Sequence, residues 1–370
     1  MRTLLASMAS LVNMILAIPV VIVCFPFWCV AALTRKLQPL FEKGSVTWRE
    51  VIEFDPFFGW RPKPNLDVYC DCGFDAYHVK TDAQGYRGEG TLEDCDVIVF
   101  GDSFAFAHGV DDEKAFFATH HSKLKFKAIG APGYNMVQEF MQIRRTSHLF
   151  KGKMVVWFVC IANDLHESVL PNMEQYRVPF MRKNDSGEWE VVNEHLKKDQ
   201  WTFNPENVHR ERERYAAIYG NNDLSARVYS ACEFLIEQGQ NVCVNAGAKL
   251  VLISLPMKAQ LVDRKGWVKR VRRFPHYEHL DPSFPEKKLA EIAEKFQVPF
   301  VSGMEYFKVR DLIPFDGHLN ERGNRRIAEK IEELYRDYCE NKTFSVSSFD
   351  AKKIQETGVR ASRLVSPVKG

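Results

Sequence analysis

"VIVFGDSFAFAHGVDD", residues 97–112, runs four apolar residues into Gly-Asp-Ser and then into an aromatic-rich segment that ends on acids. A short, continuously apolar strand is one buried on both faces, as in a parallel sheet covered by helices. Its stop at Gly101 leaves a hydroxyl, Ser103, just past the carboxyl end of the strand. Taken alone, Gly-Asp-Ser suits an ordinary strand-to-helix turn. A nucleophile held at the edge of a sheet has the same local sequence, so the surrounding chain has to decide.

Downstream, strand and helix patterns alternate. Residues 113–124 read as a helix, 126–130 as a strand, 136–150 as a helix and 154–162 as a long apolar strand. A helix over about 223–246 precedes the apolar run 248–256. The helix 286–296 carries a capping-box pattern, Ser283 with Glu286 three residues later, and leads into "VPFVSG" at 298–303. Residues 320–340 close the pattern as an amphipathic helix with Asn320 as N-cap. This alternation predicts an α/β fold with a parallel sheet between helix layers. Residues 37–95, rich in turn formers such as Gly59, Pro62, Pro64 and Asn65, read as an approach segment of short strands and loops laid against the main domain, 96–340. The polar, aromatic stretch at about 170–220 interrupts the rhythm and reads as an insertion near the site, with a hairpin around "NDSGEWEVVNEH". The tail 341–370 is Ser/Lys-rich and reads as disordered.

The chain of 370 residues has a formal net charge of +2, which gives no global reason to expect a nucleic-acid partner. No charged side chain occurs between Thr3 and Thr34, a run long enough to cross a bilayer once. Phe25, Phe27 and Trp28 lie near its end, followed by Arg35 and Lys36, as an interface favours. Residues 1–36 are therefore expected to be a transmembrane anchor and the protein a single-pass membrane protein. The cations after the run lean weakly toward a cytoplasmic domain and leave the side open. Of nine cysteines, Cys24 and Cys29 fall in the apolar run, and the odd remainder argues against a fully paired disulfide framework.

In parallel α/β sheets, ligands bind outside the carboxyl ends of the strands. Those ends carry Ser103, then Gly133 and Asn135 in "GAPGYN", then Asn163 and Asp164 in "ANDLHE". Asp316 and His318 sit in "FDGHLN", just before the last helix. This is a parts list for acyl transfer. A serine hydroxyl needs a base such as imidazole, and an Asp on the far ring nitrogen fixes the tautomer. Preorganised N–H groups must meet the charge that develops on the tetrahedral intermediate.

These blocks, in this order, resemble those of the SGNH hydrolases, the GDSL esterases and lipases, over about residues 80–340. "TDAQGYRG" and the apolar N-terminus resemble membrane-anchored bacterial members. The resemblance implies a flavodoxin-like three-layer α/β/α sandwich. It makes Ser103 the nucleophile, His318 the base and Asp316 its orienting partner. Ser103, through its own N–H, Gly133 and Asn163 would form the oxyanion hole. The last pair is Asp-Gly-His here, one residue shorter than the usual Asp-x-x-His, a spacing similar to that of SGNH-like polysaccharide O-acetyltransferases. The expected function is a membrane-anchored serine esterase working through an acyl-enzyme on Ser103, acting on a carbohydrate or lipid ester. An O-acyltransferase for a glycan or lipid hydroxyl is the first alternative, and a non-catalytic membrane-tethered binding module the second. No cofactor and no metal are expected, since neither His120-His121 nor "HYEH" (276–279) has the spacing of a zinc motif. His108 reads as a helix or loop surface residue. "RKGWVKRVRR" (264–273) reads as a solvated helix face or a contact for anionic headgroups or an anionic substrate.

Overall fold

The turn-rich stretch ahead of the first apolar run folds into five short strands, β1 (Ser45–Thr47), β2 (Ile52–Asp55), β3 (Gly59–Pro62), β4 (Asp67–Asp71) and β5 (Ala76–Lys80). The computed structural model describes residues 45–73, 75–118, 122–202, 211–274, 276–314 and 316–340. β1, β4 and β5 form one small sheet, and β2 pairs with β3 in a second. Val51, Phe58, Trp60, Tyr77 and Val79 from this segment are buried in the same core as the main sheet. The Trp60 indole donates to the Pro132 carbonyl at 3.0 Å, and the Tyr134 hydroxyl donates to the Trp60 carbonyl at 2.7 Å. The segment thereby grips the loop that carries Gly133.

The main sheet begins with β6 (Val97–Gly101) and β7 (Phe126–Gly130), each buried along its whole length. Helix α1 (Met136–Thr146) follows, capped by Asn135 in a capping box with Gln138, and then comes β8 (Met154–Cys160). A short helix, α2 (Asp164–Glu167), leads into two hairpins: β9 (Asn172–Met173) with β10 (Tyr176–Arg177), and β11 (Phe180–Lys183) with β12 (Trp189–Val192). The chain continues through α3 (Glu211–Tyr219), α4 (Asp223–Asn245), β13 (Lys249–Leu255), α5 (Arg264–Val271), α6 (Phe284–Lys295), β14 (Phe300–Val301) and α7 (Glu321–Cys339).

All five core strands are parallel, and they lie side by side as β14-β13-β8-β6-β7. Counted along the chain this is the order 2-1-3-4-5, the flavodoxin-like doubly wound arrangement. Side chains alternate between the faces. Ile98, Phe100, Val155 and Trp157 join one core with α1, α4 and α6, while Val97, Val99, Val156 and Phe158 join a second with α7. From α7, Ile327, Ile331 and Leu334 enter that second core at helical spacing, each contributing about 1.5–3 kcal/mol by burial.

Three expectations change. Among the described residues of 113–124 the expected helix does not form: only Asp112–Lys114 make a 3₁₀ turn. Ala115–Phe117 are buried in succession rather than on one face, and the Phe116 N–H donates to the Asn324 side chain at 3.1 Å. The strand expected in 298–303 shortens to the two residues of β14. The capping box of Ser283 and Glu286 does not form. Ser283 Oγ bonds to Asp281 at 2.7 Å, and the fully buried Glu286 carboxyl instead accepts from Ser254 Oγ at 2.7 Å. The expected anchor, 1–36, and the tail, 341–370, lie outside the described residues. Among the described residues, no helix is long and apolar enough to cross a membrane.

Burial raises the Glu286 carboxyl to about 7, against the opposing hydrogen bonds of Ser254 and Ser302. The folded chain then keeps a proton that the unfolded chain releases near its ordinary value of 4.5. Stability therefore falls as pH rises from that value toward about 7, and levels off above it. Glu286→Gln is expected to remove about 3 kcal/mol of this fall, so chemical unfolding of variant and wild type should diverge across that window.

Candidate active site

Doubly wound sheets bind ligands where the strand order reverses, at the carboxyl ends of the first and third strands. Here those are β6 and β8, and they deliver Ser103 and Asn163. The loop after β7 brings Gly133 to the same cavity, and the loop before α7 brings Asp316 and His318. The cavity has a volume of about 570 Å³ and a mostly apolar lining that includes Met173 from the insertion.

Ser103 Oγ lies 2.7 Å from His318 Nε2 and 3.2 Å from Asp102 Oδ2. His318 Nδ1 is hydrogen-bonded to Asp316 Oδ1, and the same oxygen accepts the His318 backbone N–H at 3.0 Å. That network places the ring proton on Nδ1 and leaves Nε2 as an acceptor for the serine. The short Asp-Gly-His spacing works because Gly317 has φ +106°, which folds the chain back so that Asp316 faces the ring two residues on. Burial pushes the Asp316 carboxyl up, but the hydrogen bond and charge of His318 outweigh it and hold it down at about 2. Asn320 anchors this loop. Its Oδ1 caps α7 through the Gly323 N–H at 3.0 Å, and its Nδ2 donates to the carbonyls of Arg310 and Leu312. The buried Asp311, paired with Arg322 at 2.8 Å and Arg326 at 2.9 Å, ties the base of the loop to the same helix.

Gly133 has φ +77°, a conformation that suits glycine, and an added Cβ would meet the Met173 methyl. Asn163 precedes α2 but does not cap it with its side chain. Its Nδ2 donates to the Tyr134 carbonyl at 2.8 Å and to Asp164 Oδ1 at 3.1 Å, which fixes the amide at the cavity wall.

Glu139 and Arg87 went unread in the sequence, whereas Asp164 reads there as a residue that caps or braces its loop and His108 as a surface residue or part of the pocket lining. His108 is half-buried rather than exposed. Its ring packs against His318 with centroids 4.8 Å apart, and its Nδ1 bonds the Tyr77 hydroxyl at 2.8 Å. Burial, reinforced by the charge of His318, lowers His108 to about 3, so it stays neutral beside His318. Asp164 is fully buried and accepts the Cys160 N–H at 2.5 Å. Buried Glu139 accepts from the Trp157 indole at 2.7 Å. Burial first, and then the charge of Asp102, raise Glu139 well above its ordinary value; burial, and then the charges of Glu139 and Asp102, do the same to Asp164. A signal for Glu139 was present: it stands between Met136 and Ile143 on the apolar face of α1, where an acid needs a partner. Arg87 is wholly buried and fans its donors onto the carbonyls of His78, Phe106, Ala107 and Val110 and onto the Asp112 carboxylate. It holds the loop that runs on from Ser103.

Solved structures similar to this chain include a GDSL-like lipase from Bacteroides thetaiotaomicron, at 12% identity and a TM-score of 0.35, with 68% of this chain and 92% of that one covered. A carbohydrate acetylesterase family member from Sinorhizobium meliloti is similar at 14% identity and a TM-score of 0.35, covering 65% and 96%. TesA is similar at 12% identity and the same TM-score, covering 64% and 96%. No protein-family model matches the chain, and no curated protein does.

Proposed function

We propose that this chain is a serine ester hydrolase of the SGNH type, tethered to a membrane by residues 1–36. One observation carries the catalytic part: a serine hydroxyl 2.7 Å from an imidazole nitrogen whose other nitrogen is held by a carboxylate, at the sheet's switch point. The tether rests on the uncharged run from Thr3 to Thr34.

In the reaction, Ser103 Oγ attacks the ester carbonyl as His318 Nε2 takes its proton, and Asp316 stabilises the imidazolium. The carbonyl oxygen becomes an oxyanion, met by the backbone N–H groups of Ser103 and Gly133 and by the Asn163 amide. To reach the oxyanion the Asn163 amide reorients as a whole and gives up its 3.1 Å hydrogen bond to Asp164. Each such donor supplies roughly 3–4 kcal/mol of barrier lowering. The intermediate collapses, His318 protonates the departing alcohol, and an acyl-enzyme remains on Ser103. Water then gives its proton to His318, attacks the acyl carbon and releases the carboxylic acid, and Ser103 regains its proton.

Transfer to an alcohol is the second reading, favoured by a cavity wide enough for an acyl group beside an acceptor. Turnover of an aryl acetate with glycerol present tests it. Hydrolysis predicts acetic acid as the main product at every glycerol concentration; acetylated glycerol in excess would make the protein a transferase.

A further inference from the structure

Helix α5 brings one cation to the cavity, Arg270, whose Nε donates to the Tyr215 hydroxyl at 3.2 Å, and sets four exposed cations around it. Gly266 and Arg270, one helical turn apart, line the cavity that holds Ser103, and so does Lys258 from the loop after β13. Lys269 and Arg273 continue the stripe of Gly266 and Arg270 at helical spacing, and Lys265 and Arg272 flank it; all four are exposed. The opposite face, Trp267, Val271 and Phe274, is buried in the core. The acids near this helix are already engaged. Asp263 caps it by accepting the Gly266 N–H at 2.8 Å, and Glu278 lies within 4 Å of His276 and His279. Glu167 also lines the cavity, on the α2 side. Among the described residues, Lys265, Lys269 and Arg272 form no ion pair.

We propose that the ester taken by this site carries a carboxylate or phosphate on its alcohol side, and that the α5 cations with Lys258 receive that anion. The inference rests on the hydrolase reading and adds the class of substrate. The departing oxygen leaves past His318, and Lys258 lies beside the loop that carries it, its Nζ bonded to the Pro314 carbonyl, in the cavity that Arg270 of α5 also lines. A bilayer is the less suited occupant: an interfacial helix turns its apolar face to the lipid, whereas α5 has buried that face in the protein.

Phenyl acetate and 4-acetoxybenzoate are matched probes, differing by one carboxylate on the leaving phenol. For the full chain in neutral detergent, kcat/KM is expected to favour 4-acetoxybenzoate by about tenfold at low salt, shrinking to about twofold at about 0.3 M NaCl. The variant Lys258→Gln, Lys265→Gln, Lys269→Gln, Arg270→Gln, Arg272→Gln is expected to lose the preference, read as the ratio of kcat/KM for the two esters. Neutralising Lys123, Lys125 and Lys151, which precede β7 and β8 at the amino ends of the strands, away from the site, is expected to leave the preference intact and so separates position from net charge. Equal rates for both esters in the wild type, or a preference that survives the Lys258 and α5 substitutions, would overturn the proposal and leave the hydrolase reading standing. Turnover of neither ester would remove both. In vesicles, hydrogen exchange of residues 264–273 is expected to be the same in phosphatidylcholine with or without phosphatidylglycerol. Protection that appears only with the anionic lipid would assign the helix to the bilayer and overturn the proposal.

Discussion

Ser103→Ala and His318→Ala are each expected to lower kcat/KM for an aryl acetate by about 10⁴-fold or more, with little change in unfolding free energy. The serine is 9% exposed and its removal leaves no large cavity, so the loss belongs to chemistry rather than folding. Combining the two substitutions is expected to cost little beyond either one, because nucleophile and base act as a unit. Asp316→Asn is expected to fall short of these losses. The Asn320 and Asp311 contacts continue to hold the loop, so the loss comes from the tautomer and the counter-charge that Asp316 supplies. Steady-state kinetics of the four variants check this pattern. A double variant with the summed loss of both singles would contradict a shared proton path.

The second large effect lies outside the cavity. Arg87→Met is expected to cost about 3–5 kcal/mol of stability, because it removes the cation from a partly buried Asp112 carboxylate and the guanidinium donor from the Phe106 and Val110 carbonyls. It should also lower kcat/KM by about tenfold to a hundredfold. Arg87 pins the stretch from Phe106 to Val110, where Ala107 sits at φ +52° and His108 packs on His318. Arg87→Lys keeps the charge but reaches fewer carbonyls and should fall between wild type and Arg87→Met. Chemical denaturation and ester kinetics on the same preparations separate the two effects. An Arg87→Met protein within about 1 kcal/mol of wild type would show that water takes over the carbonyls.

The parallel sheet was legible because both of its faces are covered, which makes β6, β8 and β13 unbroken apolar runs. The candidate site was legible for a related reason: its residues stand just past those runs or just before the last helix, where a hydroxyl, a carboxamide and an Asp-His pair are conspicuous. What stayed hidden was set by contacts between distant segments. Arg87 sits among turn formers, and its partners, Phe106 to Val110, are about twenty residues away. The aromatic stretch at 115–118 has the composition of a helix, but its amides and rings are taken up by neighbours such as Asn324. Glu286 resembles a surface capping acid until its helix is seen to press it onto Ser254. The role of Gly317 is visible only in its backbone angle, which lets a spacing of two serve a triad.

The central claim is that Ser103 is an activated nucleophile. The most direct measurement treats the full chain in detergent with a fluorophosphonate and locates the adduct by mass spectrometry, with Ser103→Ala and His318→Ala alongside. The account predicts one adduct, on Ser103, absent from the first variant and strongly slowed in the second. A folded wild-type protein that takes no label, or takes it equally well without His318, would contradict it.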